Sequence, residues 1–187
     1  MRVITGTARG RKLLTLEGTD VRPTTDIVKE AMFSIIQFEI EGRRVLDLFG
    51  GCGQLAIEAL SRGARSAVIV DSSKKSVEVI KKNLETTGFD KMAVVVNSDA
   101  VSFLSRRAEK YDIALLDPPY SKGLMEKALE RISDVMNEGG VIICEAPFGD
   151  ELPENAGSFT LKKKYRYGKT GLFLYRCSHL DEEGNDI

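Results

Sequence analysis

The chain has 187 residues, with 27 Lys and Arg against 28 Asp and Glu, a single histidine and a formal net charge of −1. That length fits one folded unit, since domains commonly run to about 100–200 residues, and no apolar run reaches the roughly 18–20 residues that a membrane span requires. Cys52, Cys144 and Cys177 are odd in number and form no CxxC pair, and the lone His179 sits in a polar tail, so a disulfide framework, a zinc site and a histidine-based mechanism all lack residues.

The amino-terminal stretch Met1-Arg2-Val3-Ile4-Thr5-Gly6 shows no basic segment leading into an apolar one, so no secretory leader is read and a cytoplasmic protein is expected. Within residues 1–23 two β-prone pieces, Arg2 to Thr5 and Lys12 to Leu16, are separated by Gly6 and Gly10 and closed by Gly18 and Pro23, which predicts a small hairpin extension. This extension is basic: Arg2, Arg9, Arg11 and Lys12 meet no acidic neighbour before Glu17. After Thr24-Thr25, either of which can cap a helix, the apolar residues Val28, Ala31, Met32, Ile35 and Ile36 recur at helical spacing and define one buried face.

From residue 44 onward short apolar runs alternate with helical segments, the pattern of parallel strands joined by crossover helices. Strands are expected at Arg44 to Phe49, Ser66 to Val70, Ala93 to Asn97, Asp112 to Leu116 and Val141 to Glu145. Helices are expected at Gln54 to Arg62, Ser73 to Thr87, Val101 to Glu109 and Lys122 to Met136, with Gly63 and Gly88 as stops. Two further runs, Thr160 to Arg166 and Gly171 to Arg176, read as an antiparallel hairpin that completes a mostly parallel seven-stranded sheet with helices on both faces. A second basic cluster, Lys162, Lys163, Lys164, Arg166 and Lys169, falls in that hairpin. Residues 1–180 are expected to form one domain, followed by an acidic disordered tail at 181–187.

An open sheet of this kind takes its ligand outside the carboxyl ends of the strands, where the strand order reverses. The first strand runs into Asp47-Leu48-Phe49-Gly50-Gly51-Cys52-Gly53-Gln54-Leu55, so glycines stand where strand turns to helix and a ligand can approach the backbone. The run Gly51-Cys52-Gly53-Gln54-Leu55-Ala56 also satisfies the dinucleotide pattern GxGxxA, and Asp71 at the next strand end suits ribose hydroxyls in either case. Asp47 separates the two. A carboxylate repels a pyrophosphate but attracts the ammonium and sulfonium of S-adenosylmethionine, which makes that the expected cofactor. Capping of the following turn is the alternative role for Asp47. Asp99 is placed to accept the adenine amine, with the Ala100 backbone as donor to the ring, or else to cap a helix.

The fourth strand ends in Asp117-Pro118-Pro119-Tyr120. The lone pair of an exocyclic base amine is delocalised into its ring, so methylating it requires acceptors that hold both N–H groups and draw the pair toward the donor. Asp117 offers a carboxylate and Pro118 a carbonyl whose direction the consecutive prolines fix, while Tyr120 can stack on the base. No strong base is needed, which agrees with the scarcity of histidine.

Taken with Arg22-Pro23-Thr24-Thr25 and Glu58-Ala59-Leu60-Ser61-Arg62-Gly63-Ala64, these motifs resemble the bacterial RsmD-type enzymes, and the resemblance covers all but the acidic tail. It implies a Rossmann-like class I methyltransferase fold and methylation of guanine N2 in 16S ribosomal RNA. Asp47, Phe49, Gly51, Gly53, Asp71 and Asp99 would then line the cofactor site, and Asp117, Pro118 and Tyr120 would hold the guanine. The Arg22-Pro23-Thr24 turn would approach the active-site mouth, Pro119 would join the substrate contacts, and Arg9, Arg11 and Lys12 in the amino-terminal hairpin would contact RNA. Family members often carry a small residue in place of Cys52 and usually glycine in place of Ala56. The implied partner is ribosomal RNA or the small ribosomal particle, met by a monomer with no membrane and no metal. Rival readings are a DNA or RNA adenine or cytosine amino-methyltransferase, a nicotinamide-dependent dehydrogenase that leaves Asp117 to Tyr120 without a role, and a non-catalytic RNA-binding protein on the same scaffold.

Overall fold

The computed structural model describes residues 1–16, 26–106, 109–119 and 123–177. Arg22, Thr24, Tyr120, His179 and the acidic tail therefore lie outside the described residues. Strands β1 (Arg44–Asp47), β2 (Ser66–Asp71), β3 (Ala93–Asn97), β4 (Tyr111–Leu116) and β5 (Met136–Pro147) are parallel. Then β6 (Asn155–Ala156), β7 (Phe159–Tyr167) and β8 (Thr170–Cys177) add on antiparallel, giving the order β3-β2-β1-β4-β5-β8-β7-β6. This is the Rossmann-like methyltransferase arrangement expected, with one correction: among the described residues the sheet has eight strands, because the two-residue β6 pairs with β7 at its edge. So short a strand has no periodicity to read.

Side-chain alternation divides the core in two. Val45, Ile69, Ile113 and Ile143 face one cluster with helices α1 (Asp26–Ile35), α2 (Gln54–Ser61) and α3 (Lys74–Thr87). Leu46, Val70, Ala114 and Ile142 face the other, with α4 (Ala100–Leu104) and α5 (Leu124–Ile132). Of the face expected here, Val28 and Met32 in α1 and Ile36 just beyond it are buried and Ala31 and Ile35 half-buried, while Phe33 and Lys29 are buried beside them. Ser73 is the N-cap of α3, its hydroxyl accepting from the Ser76 N–H, and Gly88 closes that helix at φ 80°.

Three boundaries differ most from expectation. Helix α4, the third crossover, is only Ala100–Leu104. Helix α5 ends at Ile132 and passes through a 3-10 turn, Ser133–Val135. Strand β5 then starts at Met136, with a register shift opposite Tyr111 and Ile113 that accommodates residues 137–140. A side chain at Gly140 would meet the Asn137 carbonyl oxygen at 2.8 Å, which is why the bulge takes glycine there. Among the described residues the amino-terminal hairpin is reduced to one antiparallel bridge, Arg2 with Lys12. Cys52, Cys144 and Cys177 are free and buried. No helix among the described residues is long and apolar enough to cross a membrane.

Candidate active site

The strand order reverses between β1 and β4, the two strands whose carboxyl ends carry the glycine turn and the double-proline turn. Beyond β1 the turn stays tied to its neighbours: the Leu48 N–H donates to the Leu115 carbonyl at 3.1 Å and the Gly50 N–H to the Val70 carbonyl at 2.8 Å. Gly51 and Gly53 have φ of 55° and 82°, a region that L side chains rarely adopt. A side chain at Gly51 would meet nothing within 4 Å, so the turn presents an open backbone face there. Asp71 braces it, Oδ2 accepting from the Gly51 N–H and Oδ1 from the Ser73 N–H, both at 2.8 Å. The sequence had suggested only a ligand role for Asp71; each oxygen keeps a second lone pair for one.

Asp47 does two things. Gly53 precedes α2 without a side chain to cap it, and Asp47 Oδ2 substitutes by accepting from the Ala56 N–H at 3.1 Å. The capping role is thus real, but it leaves Oδ1 buried with no hydrogen-bond partner among the described residues. Burial pushes the Asp47 carboxyl up to about 7, the Ala56 N–H opposing and the charges of Asp117 and Asp71 adding to the rise. A cation against Oδ1 relieves both the orphaned oxygen and the carboxylate repulsion, so the site fits the ammonium of S-adenosylmethionine.

Next to this, Asp47 pairs with Leu115 of β4, and two residues further on stands Asp117. Asp117 is half-buried, Pro118 buried and Pro119 exposed. The two turns therefore share one end of the sheet on adjacent strands. Glu145, which the sequence reading missed, is 5% exposed and follows Cys144, the partner of Leu116, so it stands level with Asp117. By alternation Asp47, Asp71 and Glu145 all project on the α1–α2–α3 side. Asp99 caps α4: the Ser102 N–H, with the Ser102 side chain, holds its carboxyl below the usual range. Ala100 is buried beside it. Among the described residues no group of His, Cys, Asp and Glu is placed to hold a metal ion.

The profile of the family described as conserved hypothetical protein 95 matches residues 1–176. A ribosomal RNA small subunit methyltransferase D of Escherichia coli is 33% identical over 188 residues, covering 100% of this chain and 94% of its own. The chain belongs to the RsmD family. YlbH of Bacillus subtilis, provisionally named an rRNA methyltransferase, is 40% identical over 181 residues, 94% of this chain and 98% of that one. The solved structure of Escherichia coli yhhF, provisionally named a methyltransferase, superposes with a TM-score of 0.85 at 34% identity, covering 95% of this chain and 97% of its own.

The amino-terminal arm of this RsmD chain is held by buried polar side chains. Glu58 accepts from the Ile4 and Thr5 N–H groups at 2.8 and 3.0 Å and is paired with Arg62 at 2.8 Å. Ser61 Oγ accepts from the Ala8 N–H and donates to the Thr5 carbonyl, while its own carbonyl accepts from Thr7. Lys29, fully buried, donates to the Arg2 carbonyl at 2.8 Å. Burial lowers its pKa, and the Glu58 and Asp26 charges oppose that. Val3, Ala8 and Leu13 pack into the core, leaving Arg9, Arg11 and Lys12 exposed. Glu58 and Ser61 belong to a motif noted in the sequence; the signal that gives their job is a charged and a hydroxyl residue inside an otherwise apolar helix, where polar groups need internal partners.

Proposed function

We propose that this RsmD-family chain transfers a methyl group from S-adenosylmethionine to the exocyclic N2 amine of a guanine in small-subunit ribosomal RNA. The observation that carries the reading is the pairing of β1 with β4, which sets the glycine turn and Asp117-Pro118 side by side at one end of the sheet. The family relationship to a small subunit methyltransferase D supports the ribosomal substrate. S-adenosylmethionine, when bound, supplies a methyl group made electrophilic by its sulfonium. Asp47 Oδ1 holds the ammonium, Asp71 the ribose hydroxyls, and Asp99 the adenine amine with the Ala100 N–H toward the ring. Phe49, Gly51 and Gly53 line the remainder.

On the substrate side Asp117 and the Pro118 carbonyl accept the two N–H bonds of the base amine, which turns the nitrogen lone pair out of the ring plane and toward the donor. Pro119 stiffens that turn, and Tyr120, outside the described residues, stacks on a base withdrawn from its helix. Alignment and exclusion of water supply most of the rate effect. Exposed Arg9, Arg11 and Lys12, with Arg22 and Thr24, contact RNA, and residues 1–180 act as one catalytic domain. The test is transfer of labelled methyl groups to small-subunit particles from cells lacking the gene. Label on guanine N2 at one position is expected; label only on adenine, cytosine or DNA overturns the reading.

A further inference from the structure

Asn83 is fully buried in α3 and uses every hydrogen-bonding group it has on two separate pieces of backbone. Its Oδ1 accepts from the Leu14 N–H at 2.8 Å, and its Nδ2 donates to the Leu14 carbonyl at 3.0 Å and to the Cys52 carbonyl at 2.8 Å. Leu14 ends the basic arm, two residues after Lys12, and Cys52 lies between Gly51 and Gly53 in the cofactor turn. A second contact joins the same parts, Cys52 Sγ to Met1 Sδ at 3.4 Å.

We infer that Asn83 is a positioning residue that makes cofactor affinity depend on whether the arm is engaged by RNA; this rests on the arm and the glycine turn having the roles proposed above. The amide is planar and all three of its bonds are committed, so it cannot follow a displaced Leu14 and still reach Cys52. Leu14 is 53% exposed, so its backbone is held here by the amide and not by burial of its side chain. When the arm lifts, Asn83 loses two of its partners in a buried setting and the Cys52 carbonyl loses its anchor, which frees a turn already held at positive φ. RNA gripping Arg9, Arg11 and Lys12 holds Leu14 in register and so presents the turn in its binding shape. Linkage then requires the converse: cofactor in the turn must hold the arm down for RNA.

The experiment measures binding of labelled S-adenosylhomocysteine to the full chain, alone and with saturating small-subunit particles from cells lacking the gene. Wild-type affinity should tighten roughly fivefold with particles, the scale of one buried hydrogen bond. In Asn83→Ala the ratio should fall to within about twofold of unity, whereas Ser61→Ala, which loosens the arm without touching the turn, should keep most of it. Loss of structure alone would weaken binding with and without particles and leave the ratio unchanged. Should Asn83→Ala not fold, wild-type amide exchange reads the same linkage: S-adenosylhomocysteine alone should slow exchange at Leu14 by a similar factor. A wild-type ratio of one, an equal ratio in Asn83→Ala, or exchange at Leu14 indifferent to S-adenosylhomocysteine overturns the inference. Failure of the parent reading looks different: Arg9→Glu with Arg11→Glu would then bind particles as tightly as wild type.

Discussion

Replacing Asp47 by asparagine should make the ligand-free protein more stable at alkaline pH while removing cofactor binding. The Asp47 carboxyl titrates at about 7 in the fold against an ordinary 3.8. At about 1.4 kcal/mol per pH unit, the ionised group therefore costs the native state about 4 kcal/mol once the pH exceeds 7. The sign follows from proton counts. Between 3.8 and about 7 the folded chain keeps a proton that the unfolded chain has lost, so stability falls as pH rises through that window and is flat above it. Between pH 5 and 8 this amounts to about 3 kcal/mol. Asparagine keeps an acceptor for the Ala56 N–H but buries an amide nitrogen without a partner, a loss of about 1–3 kcal/mol, which leaves a net gain of about 1–3 kcal/mol at pH 8. Urea unfolding of both proteins at pH 5 and 8, without ligand, measures the difference. Other titrating groups are common to the two, so only the difference between their pH slopes counts. Parallel slopes would refute the account of Asp47 as a buried, strained carboxyl.

The same carboxyl makes wild-type affinity for S-adenosylhomocysteine rise about tenfold from pH 6 to pH 8, and calorimetry at the two values should show it; equal affinities would mean that Asp47 does not carry the ammonium. Asp117→Ala should keep the fold and S-adenosylhomocysteine binding but lose at least roughly 100-fold in methyl transfer, and should pull the Asp47 titration below about 7 because a neighbouring negative charge is gone. Gly6→Ala drives a Cβ into the Ser61 carbonyl oxygen at a φ of 85°, so the arm must shift; a loss of about 1–3 kcal/mol and faster proteolysis within residues 1–14 are expected. Arg9→Glu with Arg11→Glu should reduce the slope of log affinity for RNA against log salt by about one for each phosphate that is no longer neutralised, measured by filter binding.

Much of the fold was legible because parallel strands are short apolar runs bounded by glycines and carboxylates, and β1 to β4 follow that rule. Strand β5 broke it. Asn137, Glu138, Gly139 and Gly140 read as a loop, yet they form a bulge inside the strand, held by the Asn137 amide donating to Asp112 Oδ1 at 2.7 Å. A side-chain bond to a residue 25 positions away leaves no local pattern. Asp47, the glycine turn and Asp117 stand out in the sequence because their chemistry is contiguous there, and the pairing of β1 with β4 sets them at one end of the sheet. Asn83, Lys29 and Glu145 do not, and the motif that holds Glu58 and Ser61 does not disclose their role, since polar residues are assigned to the surface until their partners are known.

All eight residues of α2 are buried, for the sheet covers one side of it and residues 1–14 cover the other. The RNA contact proposed for the arm and the shape of the candidate site are thus not separable pieces of the chain. Transplanting the arm onto another scaffold would require moving α2 with it, Glu58 and Ser61 included, and deleting the arm would strip a wall from the interior. The smallest portable unit is arm plus helix, inherited or engineered together.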